Sequence, residues 1–344
     1  MRPEPVTELK YAALSNSAPF DVPVAAVWRG DLVECVHRGR YAVLGAKGES
    51  IDSLGDVRSQ IYLRSSAKPF QALPLVFSGT ADAFRITDEE IAVACASHGA
   101  EPRHLAAVRS ILRKAGLSED DLQSGAHPPM HALAAARLLR SGEEPRSIHS
   151  NCSGKHASML AVCVHAGWDP AEYRNPEGPL QKLVRRTIAK LCGLEPGAVR
   201  IAGDGCGVPA LAIPLQNLAL GFARLAAGGV EGFPKDLLEA VRRVRDAMRA
   251  HPYMVAGAGR FDTQLMEATN LVAKSGAEGV FAAADLTASW GLALKISDGA
   301  SRAVSPAALA ALSRKGVRVP SEMKAKTVAD LHGKEVGKIT PLIS

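Results

Sequence analysis

The residues of this 344-residue chain that point most directly to chemistry are a serine and a lysine, Ser65 and Lys68. Residues three positions apart lie on the same face of a helix, so the lysine amine can reach the serine hydroxyl and act on it as a base. Pro69 follows, and proline is tolerated in the first turn of a helix, where its missing N–H would lack a partner. The sequence therefore predicts a helix that begins near Ser65, with this hydroxyl at the positive end of the helix dipole.

A second fragment with related chemistry lies far along the chain, at Lys274, Ser275 and Gly276, after an apolar segment. A Ser-x-x-Lys motif together with Lys-Ser/Thr-Gly is typical of serine enzymes that transfer acyl groups with lysine in place of histidine. Ser97 lies between the two fragments and is a third candidate. An isolated Ser-x-x-Lys match is equally compatible with a serine that caps a helix beside a solvated lysine.

A set of candidate metal ligands surrounds two of the six cysteines. Cys152, Lys155 and His156 are spaced so that they share one helix face, and Cys206 lies in a distant glycine-rich turn. Two thiolates and one nitrogen form a reasonable tetrahedral site for Zn²⁺, with one position left for water. On spacing alone the alternative is favoured, namely two small buried thiols beside a surface Lys-His pair, because isolated cysteines are a weaker signal than Cys-x-x-Cys.

The turn that contains Cys206 also matches a dinucleotide-binding pattern in form. Residues 205–210 follow Gly-x-Gly-x-x-Ala, after a strand-like segment at 198–202. No acidic residue lies about 20 positions later, and the surrounding pattern is not β-α-β, so a dinucleotide site is not expected. We predict a tight turn that enters a helix at 210–227, with Asp204 at the mouth of the turn.

Composition excludes several classes of protein. A hydrophobic content of 47% with 22% charged residues is ordinary for a globular protein of this length. The net charge of +6 is not accompanied by interleaved aromatic residues or a nucleic-acid-binding motif, so nucleic acid is not an expected partner. No secretory signal or stretch of ~20 apolar residues is evident, which predicts a cytoplasmic protein without a membrane partner. In that compartment the cysteines would be thiols or ligands.

Strand patterns lie at both ends of the chain and helical patterns fill its middle. The expected strands are 24–28, 32–37, 41–44, 61–63, 270–273, 279–284, 291–296 and one near 336–339, with turn regions at 45–56 and 274–276. This arrangement predicts an α+β fold in which an antiparallel sheet of N- and C-terminal strands is flanked by helices. We expect residues 1–20 to be an extension and 21–344 a single domain of two lobes, with the sheet lobe at about 21–70 and 270–344 and the helical lobe at about 71–269.

Five segments, taken as an ordered set, resemble the rhizobial-type (class 3) L-asparaginases. They are residues 64–69, 94–99, 151–156, 203–209 and 274–279, and the resemblance covers about residues 20–342. It implies a homodimer of α+β subunits, similar in fold to serine β-lactamases and glutaminases. Ser275 is a departure because threonine is more usual there, but the hydroxyl is kept.

The resemblance also implies roles for individual residues. Ser65 with Lys68, and Ser97 with Lys274, would form two adjacent catalytic Ser-Lys pairs. Zinc would be held by Cys152, Lys155 and Cys206, with His156 as the fallback nitrogen ligand, and it would have a structural or pocket-orienting role. The substrate pocket would be lined by Arg64, His156, Asp204 and Gly205.

The activity that follows from the resemblance is hydrolysis of the side-chain amide of L-asparagine, through an acyl-enzyme, to L-aspartate and ammonia. Which serine attacks is open, since Ser97 could replace Ser65 as nucleophile. Alternative functions are a glutaminase, a penicillin-interacting serine hydrolase, or a non-catalytic zinc-bearing interaction protein.

Overall fold

The fold is organised around a large antiparallel sheet that the two ends of the chain build together. The computed structural model describes residues 20–324 and 326–343, so the expected N-terminal extension lies, apart from Phe20, outside the described residues. The strands within the described part are β1 (Val22–Arg29), β2 (Leu32–Gly45), β3 (Ser50–Leu54), β4 (Gln60–Tyr62), β5 (Arg200–Gly203), β6 (Pro209–Pro214), β7 (Leu271–Gly276), β8 (Val280–Asp285), β9 (Trp290–Ile296), β10 (Lys326–Ala329) and β11 (Glu335–Pro341).

The order of strands in the large sheet is β10-β11-β1-β2-β9-β8-β7, with β3 paired to β2, and β4, β6 and β5 form a separate small sheet. Each neighbouring pair is antiparallel, as in the β1–β2 hairpin, where Trp28 lies opposite Val33. The N-terminal strand β1 is therefore bonded to the C-terminal strand β11. This confirms the predicted α+β fold with a sheet drawn from both ends of the chain.

Helices occupy the middle of the chain and both sides of the sheet. They are α1 (Lys68–Gln71), α2 (Leu73–Phe77), α3 (Thr80–Ala83), α4 (Asp88–Ala94), α5 (Pro102–Lys114), α6 (Ala132–Ser141), α7 (Ser153–Ala166), α8 (Pro179–Leu191), α9 (Leu215–Ala227), α10 (Lys235–Ala250), α11 (Pro252–Ala256), α12 (Phe261–Ala268), α13 (Ser301–Arg314) and α14 (Ser321–Lys324). None of these helices within the described ranges is long and apolar enough to cross a bilayer.

Two helices cover the sheet and bury its apolar side chains. Helix α9 packs against β2, β8 and β9, and helix α13 packs against β1, β9 and β11. At Gly291 of β9 the approach of α9 is so close that a Cβ would clash with the carbonyl oxygen of Ala219. The glycine therefore sets the distance between this helix and the sheet.

Some local predictions were wrong. Residues 209–214 form strand β6, whereas the predicted helix at 210–227 begins only at Leu215, so the turn at Cys206 joins two strands. Residues 274–276, predicted as a turn, end strand β7, and β3 lies within the predicted turn region 45–56. A short apolar run such as that of β6 has no periodicity that separates strand from helix.

Candidate active site

Ser65 lies on a single 3₁₀ turn, Arg64–Ala67, which continues directly into helix α1 at Lys68. Pro69 occupies the first turn of α1, as the sequence predicts. Arg64 has a φ of 49°, in the left-handed region that residues other than glycine seldom adopt. A backbone held in this conformation by its surroundings is typical of functional sites.

Strand β7 is pressed against this turn because its last residue is glycine. A Cβ at Gly276 would lie 2.9 Å from the carbonyl oxygen of Leu63 and 3.4 Å from the backbone nitrogen of Ser66. The bare glycine therefore permits the close contact between β7 and the turn. As a result, Lys274, although it is far from α1 in sequence, lies near this helix in the interior.

The amine of Lys68 is buried against the end of α4 rather than exposed. It donates hydrogen bonds to the Ser97 hydroxyl at 3.0 Å and to the carbonyl oxygen of Ala96 at 2.5 Å. The Lys68 side chain is 1% exposed, and this burial lowers the pKa of its amine. Among the described residues no hydrogen bond joins Lys68 to Ser65, so the geometry pairs this lysine with Ser97, unlike the expected pairing.

Lys274 is fully buried and has a partner that the sequence did not reveal. Its amine donates to the carbonyl oxygen of Ser275 at 2.8 Å and lies 3.5 Å from a carboxylate oxygen of Asp262. Burial lowers the pKa of Lys274 to about 8, although the carboxylate of Asp262 acts in the opposite direction. Within the described part of the chain, no hydrogen bond joins Lys274 to Ser97.

A polar cavity of about 290 Å³ opens in front of the Ser65 turn. Its lining consists of Arg64, Ser65, Ser124, His127, Ser150, Asn151, Cys152, Asp204, Gly205, Cys206 and Ala277. On its wall the guanidinium of Arg64 lies 3.1 Å from the carboxylate of Asp204. A cavity of this size with adjacent positive and negative groups suits a small zwitterion such as an amino acid.

Cys152, Lys155 and Cys206 lie together beside the cavity. The amine of Lys155 donates to the Cys206 sulfur at 3.1 Å. A hydrogen bond from Cys206 holds the pKa of Cys152 well below its usual range, while burial of Lys155 is outweighed by the two thiols, which raise its pKa. Two sulfurs and one nitrogen converge, so the donor set fits a soft divalent ion once the amine has lost its proton.

Lysine is an unusual third donor in this set. Across residues 20–324 and 326–343, no group of three or more His, Cys, Asp or Glu side chains is arranged to hold a metal. His156, expected in the pocket and as the fallback ligand, is instead hydrogen-bonded through Nδ1 to the Tyr173 hydroxyl at 2.6 Å. His156 is fully buried and is not among the residues that line the cavity.

A profile of the L-asparaginase II family matches residues 25–341. The chain belongs to the L-asparaginase II family. This result confirms the resemblance drawn from the five segments, and membership supports an amidohydrolase. A comparison with curated proteins gave no match.

Solved structures with weaker similarity include two of Mglu, one native and one binding L-glutamate in 4.3 M NaCl. They share 16% and 17% identity, with TM-scores of 0.44 and 0.45, over 78% and 81% of this chain and 61% of Mglu. The chain thus spans less than two thirds of the length of Mglu. A putative beta-lactamase from Bacteroides dorei DSM 17855 shares 12% identity, with a TM-score of 0.41, over 88% of this chain and 98% of its own.

For a member of the L-asparaginase II family, the site contains residues that no sequence pattern marked. Asp262, on helix α12, contacts Lys274, which lies twelve residues later in the chain. The sequence did not mark it, because buried carboxylates have no characteristic spacing from their partners. His127 and Asn151 line the cavity, and the backbone N–H of Asn151 donates to His127 Nε2 at 3.0 Å. Asn151 belongs to a segment that the resemblance included, which was the one signal available for it.

Proposed function

We propose that this protein is an L-asparaginase that cleaves the side-chain amide of L-asparagine through a serine acyl-enzyme. The observation that carries the proposal is the buried contact between the Lys68 amine and the Ser97 hydroxyl behind a polar cavity whose wall includes Ser65. A desolvated amine against a hydroxyl is the arrangement that activates serine without histidine. Membership in the L-asparaginase II family supports the choice of an amide substrate.

The substrate would be recognised by the charged groups of the cavity. The α-carboxylate of asparagine would bind Arg64, and the α-ammonium would bind Asp204 next to Gly205. These two protein groups already face each other at 3.1 Å, so the zwitterion would replace one ion pair with two. The side-chain amide would then extend toward Ser65.

In the reaction, the Ser65 Oγ attacks the amide carbon and its proton passes to the amine of Lys68, directly or through the Ser97 hydroxyl. Backbone N–H groups at the start of the 3₁₀ turn would stabilise the oxyanion. The C–N bond breaks as Lys274 protonates the leaving nitrogen, and ammonia departs. Water then hydrolyses the aspartyl ester, and Lys68 returns its proton to the Ser65 Oγ as the serine is released.

The test is ammonia release from L-asparagine by the wild type and three variants. Ser65→Ala and Ser97→Ala should each lower kcat by about 10³-fold or more, while Ser53→Ala, an exposed serine on β3, should be unchanged. Activity on L-glutamine or nitrocefin, with none on L-asparagine, would overturn the substrate. Full activity of Ser65→Ala would identify Ser97 as the nucleophile.

We also propose that Cys152, Lys155 and Cys206 hold a zinc ion that orients the cavity wall. Zinc bound there would be a Lewis acid beside the substrate, and no step above depends on it. The purified protein should contain about one equivalent of zinc by elemental analysis, and a chelator should lower its melting temperature. Cys206→Ser should lose the metal, whereas Cys35→Ser, far from the cluster in sequence, should retain it.

We expect the protein to form the homodimer that the family resemblance implies. Sedimentation equilibrium of the full chain tests this expectation directly.

A further inference from the structure

A buried carboxylate lies behind the proposed catalytic lysine. Asp262 is 3% exposed, and its two oxygens are occupied by neighbours on β7. One oxygen accepts the backbone N–H of Ser275 at 2.8 Å and lies 3.5 Å from the Lys274 amine, while the other accepts the Ser275 hydroxyl. Since a buried ionised carboxylate is costly unless paired, these contacts explain why it is tolerated.

We propose that Asp262 is a positioning residue that fixes Lys274 as the proton donor to the leaving nitrogen. This inference rests on the proposed amide hydrolysis. Asp262 locks Ser275 through two hydrogen bonds, and the carbonyl of Ser275 in turn accepts a bond from the Lys274 amine. The carboxylate therefore sets both where the amine lies and how firmly it holds a proton.

The proton balance is complete with these groups. Lys274 gives one proton as the C–N bond breaks and becomes a neutral amine. It recovers a proton from the water that attacks the ester, so the net reaction consumes one water and releases ammonia and the acid. The donor must start each cycle charged, in a site where burial opposes charge.

The charges around Lys274 show why a carboxylate is needed there. The Lys68 amine and the Arg260 guanidinium disfavour a positive charge on Lys274, whereas the Asp262 carboxylate favours it. The thiol of Cys95 also faces Lys274, but burial raises its pKa to about 12, so it stays neutral. Removal of the Asp262 charge would leave the carbonyl oxygen of Ser275 to stabilise the charged amine against Lys68 and Arg260.

The experiment compares Asp262→Asn with Ser275→Ala. The asparagine side chain at position 262 keeps the shape of the aspartate and can still accept a hydrogen bond from the Ser275 backbone N–H, but it carries no negative charge. The alkaline limb of kcat/KM for Asp262→Asn should move to lower pH by about 1 to 3 units, the size of an adjacent-charge effect. Ser275→Ala removes a hydrogen bond yet keeps the carboxylate, so its alkaline limb should stay at the wild-type position.

A second measurement separates this inference from the proposed function. The ¹³Cε chemical shift of Lys274, followed by NMR against pH in lysine-labelled full-length protein, reports its protonation without turnover. A lower midpoint in Asp262→Asn supports the inference even if L-asparagine proves not to be the substrate. An unchanged midpoint and an unchanged alkaline limb in a folded variant overturn it. If Asp262→Asn fails to fold, Asp262→Glu replaces it: the longer side chain keeps the charge but displaces the carboxylate, so a changed midpoint supports the inference and an unchanged midpoint overturns it.

Discussion

Lys274→Met should change how the free energy of unfolding depends on pH, because the wild type holds a desolvated amine at this position. The pKa of Lys274 falls from an ordinary 10.5 to about 8 on folding, so the unfolded chain binds more protons between these values. Burial of the amine thus costs about 3 kcal/mol at pH 7 and about 1.5 kcal/mol at pH 9.5. The wild type gains stability as pH rises, and the variant lacks this gain.

Relative to Lys274→Met, the wild type should therefore gain about 2 kcal/mol in free energy of unfolding between pH 7 and 9.5. The attraction between the ammonium and Asp262 is already included in the pKa of about 8, so it adds no further pH dependence to this difference. Urea unfolding followed by tryptophan fluorescence measures the difference. Lys235→Met, at an exposed position, is the matched control and should track the wild type. An equal difference for Lys274→Met at both pH values would refute the reasoning.

Two further predictions concern the framework of the site. Gly276→Ala places a methyl group 2.9 Å from the Leu63 carbonyl, so β7 must move away from the Ser65 turn. We expect a loss of about 1 to 3 kcal/mol in urea unfolding and at least a tenfold lower kcat, and wild-type kcat would argue against the contact. Thr87→Ala breaks the capping box of α4 formed with Glu90 and should cost about 1 kcal/mol. Its kcat/KM should be unchanged, because Thr87 is exposed. A large loss of activity would contradict this expectation and would mean that the capping box alone keeps α4 in place.

The parts of the fold that sequence could predict are those with strong periodicity or clear breakers. The two strands of the β1–β2 hairpin were expected at 24–28 and 32–37, and both lie within the strands observed. Strand β6 was missed because its small apolar residues lack a distinguishing period. Strand β3 was missed because three of its five residues are polar, and such a segment resembles a turn region.

At the site, sequence located the groups better than their partners. The position of the Ser65 turn follows from the local rule that tolerates proline in the first turn of a helix. The pairing of Lys68 with Ser97 depends on how α4 ends against α1, which is a matter of tertiary packing. Asp262 and the Tyr173 partner of His156 are long-range contacts of the same kind.

The position of β7 in the order of synthesis has a consequence for when the site exists. Both serines and Lys68 emerge from the ribosome early, but the strand that brings Lys274 follows residue 270. A nascent chain that ends before this strand would expose the Ser65 turn without its support and without one of the two lysines. Because such long-range strand pairing forms late, catalytic competence would arise only after β7 has been synthesised and has paired.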